Sequence, residues 1–569
     1  MRGGKILRID LGSGTIRTSP TAGYQDLWIG GRGFNAKIIY DELRRGVAPL
    51  DPDNIMAFST GPFTGTMVPG SGRTAVSTQS AATGRQAIAG VGGYWGPKLK
   101  YAGYDAVIIR GRSEKPVYIA IDNGDVAIRD APHLWGLDTR QTAAALGKDL
   151  GDPEIEMMAI GPAGENRLAA ATLQGRAGIA AGGPGMGAVM GAKHLKAIAV
   201  RGTGGLSLAA PRKFFDLCLA AVKVQHRRIS EMVPAAAASD PREQGFSSSP
   251  CPLWVPSRSA PGDGAIGCFN GSGCGMDVYD TANGGPFVFH AAIHGPALQA
   301  LRHPDADAFY AFASQCQRLG IDLSAAARMI GRAIALSEEG EISMEETGGV
   351  DLRGGNIDAV GTVLEKIARQ DGISSALEAA LEDDIPEAAD EALILDEAIE
   401  ALNAPGANRI IPPHDAATAG ARHAAAARLS AACDALGQCR WNTAFLAPGT
   451  ALAIQADFLA AGTGGKLSAN DLVDTASRIL AIERATAVRE GQTGASAPLP
   501  AIHAAPGTPQ VGKTDAVLPE EVRREYLSAV GWDVDTGIPK AKTLKNLKLK
   551  DIARDLKKYR PLGTSERIW

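Results

Sequence analysis

The stretch GRAGIAAGGPGMGAVMGAKHLK, residues 175–196, is the one from which the rest of the chain is read. Seven of its first seventeen residues are glycine, and it then runs into the helix-like GAKHLKAI. Glycine at this density lets backbone turn through positive φ and approach a ligand closely. Successive free N–H groups in such a bend, followed by a helix N-terminus, suit a phosphate or another anion. No Gly-Lys-Ser/Thr follows, so this is not a Walker loop, and it is not a clean dinucleotide fingerprint. On composition alone it reads equally well as a tight packing turn of small residues.

Its surroundings favour the ligand reading. In the first 205 residues, short apolar runs at 5–10, 55–59, 106–110, 117–121 and 197–201 lie between Gly, Asp and Pro turns and read as strands. Between them stand GGRGFNAK (30–37), STGPFTGTMVPGSGR (59–73), GVGGYWGPKLKYAGYD (90–105) and GPAGENR (161–167). Each combines glycines that open the backbone with an Arg, Asn or Lys able to meet a polar ligand. Together with residues 175–196 they suggest a large anionic cofactor held mainly by backbone.

At 569 residues the chain has room for about three or four domains. A 45% hydrophobic composition makes it globular, and a net charge of −4 gives no sign of nucleic-acid binding. Seven scattered cysteines are not a disulfide framework and fit a reducing compartment, as buried, metal-bound or redox-active thiols. The opening MRGGKILRIDLGSGTI has no apolar signal core, and no run approaches the length of a membrane span. A soluble, cytoplasmic protein is expected. An amphipathic helix is predicted over 211–232, with Phe214, Phe215, Leu217, Leu219 and Val222 apolar and Cys218 a core thiol. A Pro/Ser/Ala/Gly-rich excursion follows. Residues 297–404 read as helical at 306–319, 323–339 and 373–381. The basic, amphipathic 540–560 reads as a docking or solvent-facing helix.

The succession GGRGFNAKIIYD, STGPFTGT, GSGR, GGYWGPKLKYAGYD, IGPAGENR and GMGAVMGAKHLKAIAVRG resembles the N-terminal domain of the aldehyde ferredoxin oxidoreductase family. That family binds tungsten, or sometimes molybdenum, between two pterins beside a [4Fe–4S] cluster. Residues 98–105 and DALGQC look most similar to the tungsten-containing active-site subunit of class II benzoyl-CoA reductase. The resemblance is dense over the first 200 residues, thinner over the last 140 and poor between. It implies an α+β fold: a β-rich N-terminal cofactor-binding domain (1–205), a helical middle domain (206–404) and a helical C-terminal domain (405–569).

The resemblance also implies site residues. Arg73 would reach between the pterin phosphates and the cluster, and Gly92, Gly93, Gly185, Gly187 and Ala188 would offer backbone to the pterins. Gly90 stands where the family often has an asparagine at a magnesium site, so the resemblance does not carry magnesium with it. In CDALGQC, Asp434, Gly437 and Gln438 would meet a pterin and Cys439 the cluster. In CQRLGID, Gln317 replaces the first aspartate of the other pterin motif, while Gly320 and Asp322 remain. The family's C-x2-C-x3-C lacks its middle cysteine here. Cys251, Cys268, Cys274 and Cys439 make four thiolates only if the Cys251 loop folds back. In GGPFVFHAAIHG the family's glutamate or cysteine near the metal is replaced, leaving His290 as a candidate proton donor. His414 and His423 are candidates for the histidine supplied by a later segment.

Two functions follow. One is a bispterin oxidoreductase that acts on an aldehyde or an aromatic acyl-CoA and passes electrons to ferredoxin or an iron–sulfur subunit. The other is a divergent member with a lost or altered cluster, serving as a structural or electron-transfer subunit. Homo-oligomers would be ordinary for the family. A nucleotide-binding dehydrogenase would need a strand–GxGxxG–helix unit with a downstream acid, which is not found.

Overall fold

The computed structural model describes residues 1–176, 180–181, 185–236, 276–281, 285–290, 306–354, 357–371, 418–439, 451–493 and 520–559. Twelve strands in the N-terminal region form two mixed six-stranded sheets. The first contains β1 (Lys5–Asp10), β2 (Thr15–Pro20), β3 (Met56–Thr60), β4 (Thr74–Gln79), β5 (Gln86–Val91) and β6 (Tyr104–Arg110), in the order β2-β1-β6-β3-β4-β5. The second contains β7 (Val117–Asp122), β8 (Asp125–Asp130), β9 (Glu156–Ala159), β10 (Leu173–Gly175), β11 (Ala180–Ala181) and β12 (Leu195–Arg201). Its order, β11-β10-β9-β12-β7-β8, repeats that of the first sheet six strands later. Each sheet has one parallel pair, β1 with β6 and β7 with β12.

Alternation along the strands dictates how the sheets are used. Leu7, Ile9, Phe58, Val76, Val107 and Ile109 of the first sheet share one core with Ile119, Ile121, Met158, Ile198 and Val200 of the second. The sheets therefore pack face to face, with successive side chains pointing to opposite faces. The opposite face of the first sheet, with Ile6, Ala57 and Ile108, is buried under the Gly31–Glu42 helix and helices between residues 419 and 556. Ala163, Leu168, Ala170, Ala171 and Ala188 of the second half pack on the Ala306–Leu319, Leu323–Glu339 and Ile357–Arg369 helices. A hairpin of β13 (Met276–Thr281) and β14 (Gly285–His290) is antiparallel, pairing Met276 with His290.

Several expectations shift. GGRGFNAK is not a loop but the start of the Gly31–Glu42 helix, which is buried nearly all round, with Phe34, Ala36, Ile38 and Ile39 in the core shared by the sheet and the C-terminal helices. YWGPKLK becomes the Trp95–Tyr101 helix, with Pro97 in its first turn, where no amide donor is required. The helix at 211 extends over Pro211–Ala236 and buries Phe214 and Cys218, as expected, but leaves Phe215 and Leu219 exposed. Burial pushes the Cys218 thiol up to about 12, which suits a core residue. The basic C-terminal stretch forms two short helices, Ala541–Asn546 and Lys550–Leu556, that dock through Leu544, Ile552 and Leu556. The helix predicted at 373–381 lies outside the described residues. Among the described residues no helix is long and apolar enough to cross a membrane.

Candidate cofactor site

Two helices end in the same way on the two halves of the sandwich. The Ala306–Leu319 helix stops at Gly320 (φ 74°) and the Ala419–Leu436 helix at Gly437 (φ 75°). Glycine takes this left-handed conformation without the cost that a Cβ would bring. The next amide turns back in each: Ile321 N donates to Cys316 O at 2.9 Å, and Gln438 N to Cys433 O at 3.0 Å. The local sequences, CQRLGID and CDALGQC, correspond position for position in Cys, Leu and Gly.

Each turn is received by a Gly-Pro step after a strand. A Cβ on Gly61 would stand 1.9 Å from Leu436 C, and one on Gly161 would stand 2.3 Å from Leu319 O. Phe63 N donates to Leu436 O at 2.9 Å, and Cys439 N to Gly70 O at 2.7 Å. In the second half Thr172 N donates to Gly320 O and Asp322 N to Ala170 O, both at 2.9 Å. These glycines serve backbone-to-backbone docking.

Thr64 ties the first turn to Arg73. Its hydroxyl accepts from Gly61 N at 3.0 Å and donates to Arg73 O at 2.8 Å. A Cβ on Gly437 would lie 2.1 Å from the same oxygen. The Arg73 guanidinium rests on Gly90, where a Cβ would approach its Nη2 to 3.2 Å. Arg73 Nε is buried and, among the described residues, has no hydrogen-bond partner. That is a costly state for a charged group unless another molecule completes it. The corresponding polar residues of the other glycine-rich segments are engaged by protein. Arg32 binds Glu483 and Asp434, and Asn35 donates to Ala57 O and Ala75 O. Lys100 donates to Gly61 O, and Asn166 to Ala368 O.

The turn itself is held by a chain of amides. Gln438 Nε2 donates to Pro69 O at 3.0 Å, and Gln438 Oε1 accepts from Gln455 Nε2 at 2.7 Å. Gln455 Nε2 also lies 3.4 Å from Cys433 Sγ. Cys433 is therefore a core thiol, whereas Cys439 is half-buried, and neither forms a disulfide. Asp434 meets Arg32 Nη1 at 3.1 Å through Oδ2.

The other predicted positions are placed as follows. Gly92 precedes Gly93, which takes φ 94°, just before the Trp95–Tyr101 helix. Gly185 (φ 86°) opens the Met186–Ala192 helix, and a Cβ there would meet Ser80 Oγ and Ala82 N at 2.5 Å. Gly187 abuts the Thr172 backbone, and Ala188 is buried. Asp322 caps the Leu323–Glu339 helix by accepting from Ala325 N at 2.9 Å. His290 is the last residue of β14. His423 is half-buried on the Ala419–Leu436 helix. Cys251, Cys268, Cys274 and His414 lie outside the described residues. Among the described residues no group of three His, Cys, Asp or Glu could hold a metal ion. Reading the segments singly missed Arg32, Glu483, Gln455 and Thr64. The signal was there in the paired Gly61-Pro62 and Gly161-Pro162 steps and in the paired C-x-x-L-G turns, an internal repeat.

The family profile described as "Aldehyde ferredoxin oxidoreductase, N-terminal domain" matches residues 6–202, and that for domains 2 and 3 matches residues 273–380 and 394–549. This chain belongs to the aldehyde ferredoxin oxidoreductase family. It is 43% identical over 215 residues to the tungsten-containing aldehyde ferredoxin oxidoreductase of Pyrococcus abyssi. It is 35% identical over 221 residues to the aliphatic sulfonate oxidoreductase, WOR-like subunit, of Pyrococcus furiosus. The first match covers 38% of this chain and 35% of the relative, and the second 36% and 35%. The chain thus matches about a third of the length of these curated relatives. A solved structure, the active site complex BamBC of benzoyl coenzyme A reductase with 1,5-dienoyl-CoA, superposes with a TM-score of 0.80. It is 26% identical, and the match covers 99% of this chain and 100% of that one.

The residues present fit a pterin cofactor with anionic arms. Arg73 offers a buried, unpartnered N–H, and Gly90 leaves the guanidinium room. For an iron–sulfur cluster the described residues offer Cys439 alone of the four predicted thiols.

Proposed function

We propose that this family member is a tungsten- or molybdenum-bispterin oxidoreductase, cytoplasmic, acting on an aldehyde or an aromatic acyl-CoA. The observation that carries the reading is the junction at Thr64, which joins an arginine with an unfilled buried N–H to the Asp434–Cys439 turn. When bound, the metal supplies two-electron oxo chemistry. The chain supplies the rest: Arg73 offers positive charge to a phosphate, and the Asp434 carboxylate accepts ring N–H donors. Gly92, Gly93, Gly185, Gly187 and Ala188 line the backbone approach. His290 and His414 are the proposed proton donors, because imidazole titrates near neutrality. Cys251, Cys268, Cys274 and Cys439 are the proposed thiolates for iron, and ferredoxin or an iron–sulfur subunit the proposed electron partner. In this reading residues 1–205 are the cofactor base, and 206–404 and 405–569 the domains above it.

The solved relative is a complex of active-site components, which supports a partner subunit, and the 1,5-dienoyl-CoA bound in it supports the acyl-CoA substrate class. The names of the sequence relatives support aldehydes. An Arg73 Nε buried without a partner among the described residues favours a bound anion over a purely structural subunit. The test is an anaerobic dye-linked assay of cofactor-loaded protein, offering aldehydes with an oxidised viologen and aromatic acyl-CoA with a reduced one. Turnover of either class is expected. Loaded protein that turns over neither contradicts the proposal.

A further inference from the structure

We propose that Arg32, anchored by Glu483, is a positioning residue that fixes the Asp434 carboxylate for the pterin. The proposal rests on Asp434 being a pterin ligand. Arg32 sits in the first turn of the Gly31–Glu42 helix and is buried. It grips Glu483 bidentately, Nε to Oε1 at 2.8 Å and Nη2 to Oε2 at 2.9 Å, and spends only Nη1 on Asp434. Burial works against the guanidinium's charge, but the Glu483 and Asp434 carboxylates more than offset it, so its pKa is raised.

The trio holds two carboxylates and one guanidinium, so one negative charge is left over. Of the three, Asp434 keeps the most accessible side chain, 16% against 7% for Arg32 and 5% for Glu483. Among the described residues its second oxygen has no protein partner and can accept N–H donors, such as those on a pterin edge. Docking alone does not require this arrangement. The helix start already abuts the turn through backbone: Gly31 takes φ 46°, and a Cβ on it would lie 2.0 Å from Asp434 O. Removing two charges from water is expensive, and a buried ion pair is often replaced by apolar residues without loss of stability. The other half of the molecule shows the contrast. There the tether runs from Asp138 Oδ2 to Arg318 Nε at 2.8 Å, one residue beyond Gln317, the counterpart of Asp434.

The test compares wild type, R32M/E483L, R32K and D434N, all produced in a host that makes the cofactor. Tungsten per chain, fluorescence of released oxidised pterin and the melting temperature are read for each. The double variant should melt close to wild type yet retain about tenfold less tungsten and pterin, the scale expected for one charge-assisted hydrogen bond to the cofactor. R32K keeps a charge opposite Glu483 but cannot span both carboxylates as a fork, so it should recover part of the loading. Wild-type loading in a folded double variant overturns the proposal while D434N stays depleted. Full loading of D434N overturns the reading of Asp434 as a ligand, and the proposal with it. Should the double variant fail to fold, R32K decides: reduced loading supports the positioning role, and unchanged loading rejects it.

Discussion

Arg73 is where stability and function separate most cleanly. Its Nε has no partner to lose among the described residues, so Arg73→Met should change the unfolding free energy of cofactor-free chain by less than about 0.5 kcal/mol while removing most pterin from chain made with the cofactor. Denaturant melts of cofactor-free protein and pterin fluorescence of loaded protein check the two halves. Gly61 should behave in the opposite way. A Cβ there would stand 1.9 Å from Leu436 C and 2.1 Å from Gly437 N, so Gly61→Ala must push backbone apart. A loss of about 3 kcal/mol is expected, read by thermal unfolding. In a linear reading these two residues look alike, both members of one glycine-rich loop. Composition tells that the loop bends, but not whether a given glycine faces a ligand or another backbone. That distinction depends on what folds against it from more than three hundred and fifty residues away.

At the scale of elements, the helix ends carry the organisation. Asp138 caps the Thr139–Asp149 helix, accepting from Arg140 N and Gln141 N, and also pairs with Arg318 of the Ala306–Leu319 helix. Asp138→Ala should therefore cost about 1–2 kcal/mol by loosening two elements at once, without touching pterin retention. Urea titration and tungsten content would show the split. The strands at 5–10 and 117–121 and the helices at 306–319 and 323–339 were legible because period-2 and period-3.6 patterns are local properties. The GGRG segment was not, because its three glycines admit loop and helix alike. Its fate is decided by the burial of Phe34, Ala36, Ile38 and Ile39 in the core built with the distant C-terminal helices. The Cys439 turn was legible by motif. Its support through Gln455 was not, since one glutamine in an alanine-rich helix carries no signal of its own.

The whole molecule is a duplicated sandwich with a helical unit on each half, and its base contains buried lysines. Burial is the main influence pushing the Lys193 ammonium down to about 7, with Arg112 adding to it. Its Nζ donates to Pro52 O at 2.9 Å and lies 3.3 Å from Gly111 O. The unfolded chain holds that proton up to the ordinary lysine value of 10.5, so between about pH 7 and 10.5 it binds more protons than the folded chain. Stability should rise with pH through that window, by at most about 1.4 kcal/mol per unit from this site. Lys193→Met should flatten the slope in denaturant melts taken at successive pH values. The duplication was open to reading in the paired Gly-Pro steps and C-x-x-L-G turns. The sharing of one core between the first sheet and the last helices was not, because it depends on long-range packing.

The most direct test of the account is metal and pterin analysis of the protein purified from a host able to make the cofactor. About one tungsten or molybdenum and about two pterins per chain are expected, with the protein supplying their binding and orientation. Chains that are folded, made in such a host and free of both metal and pterin would contradict it.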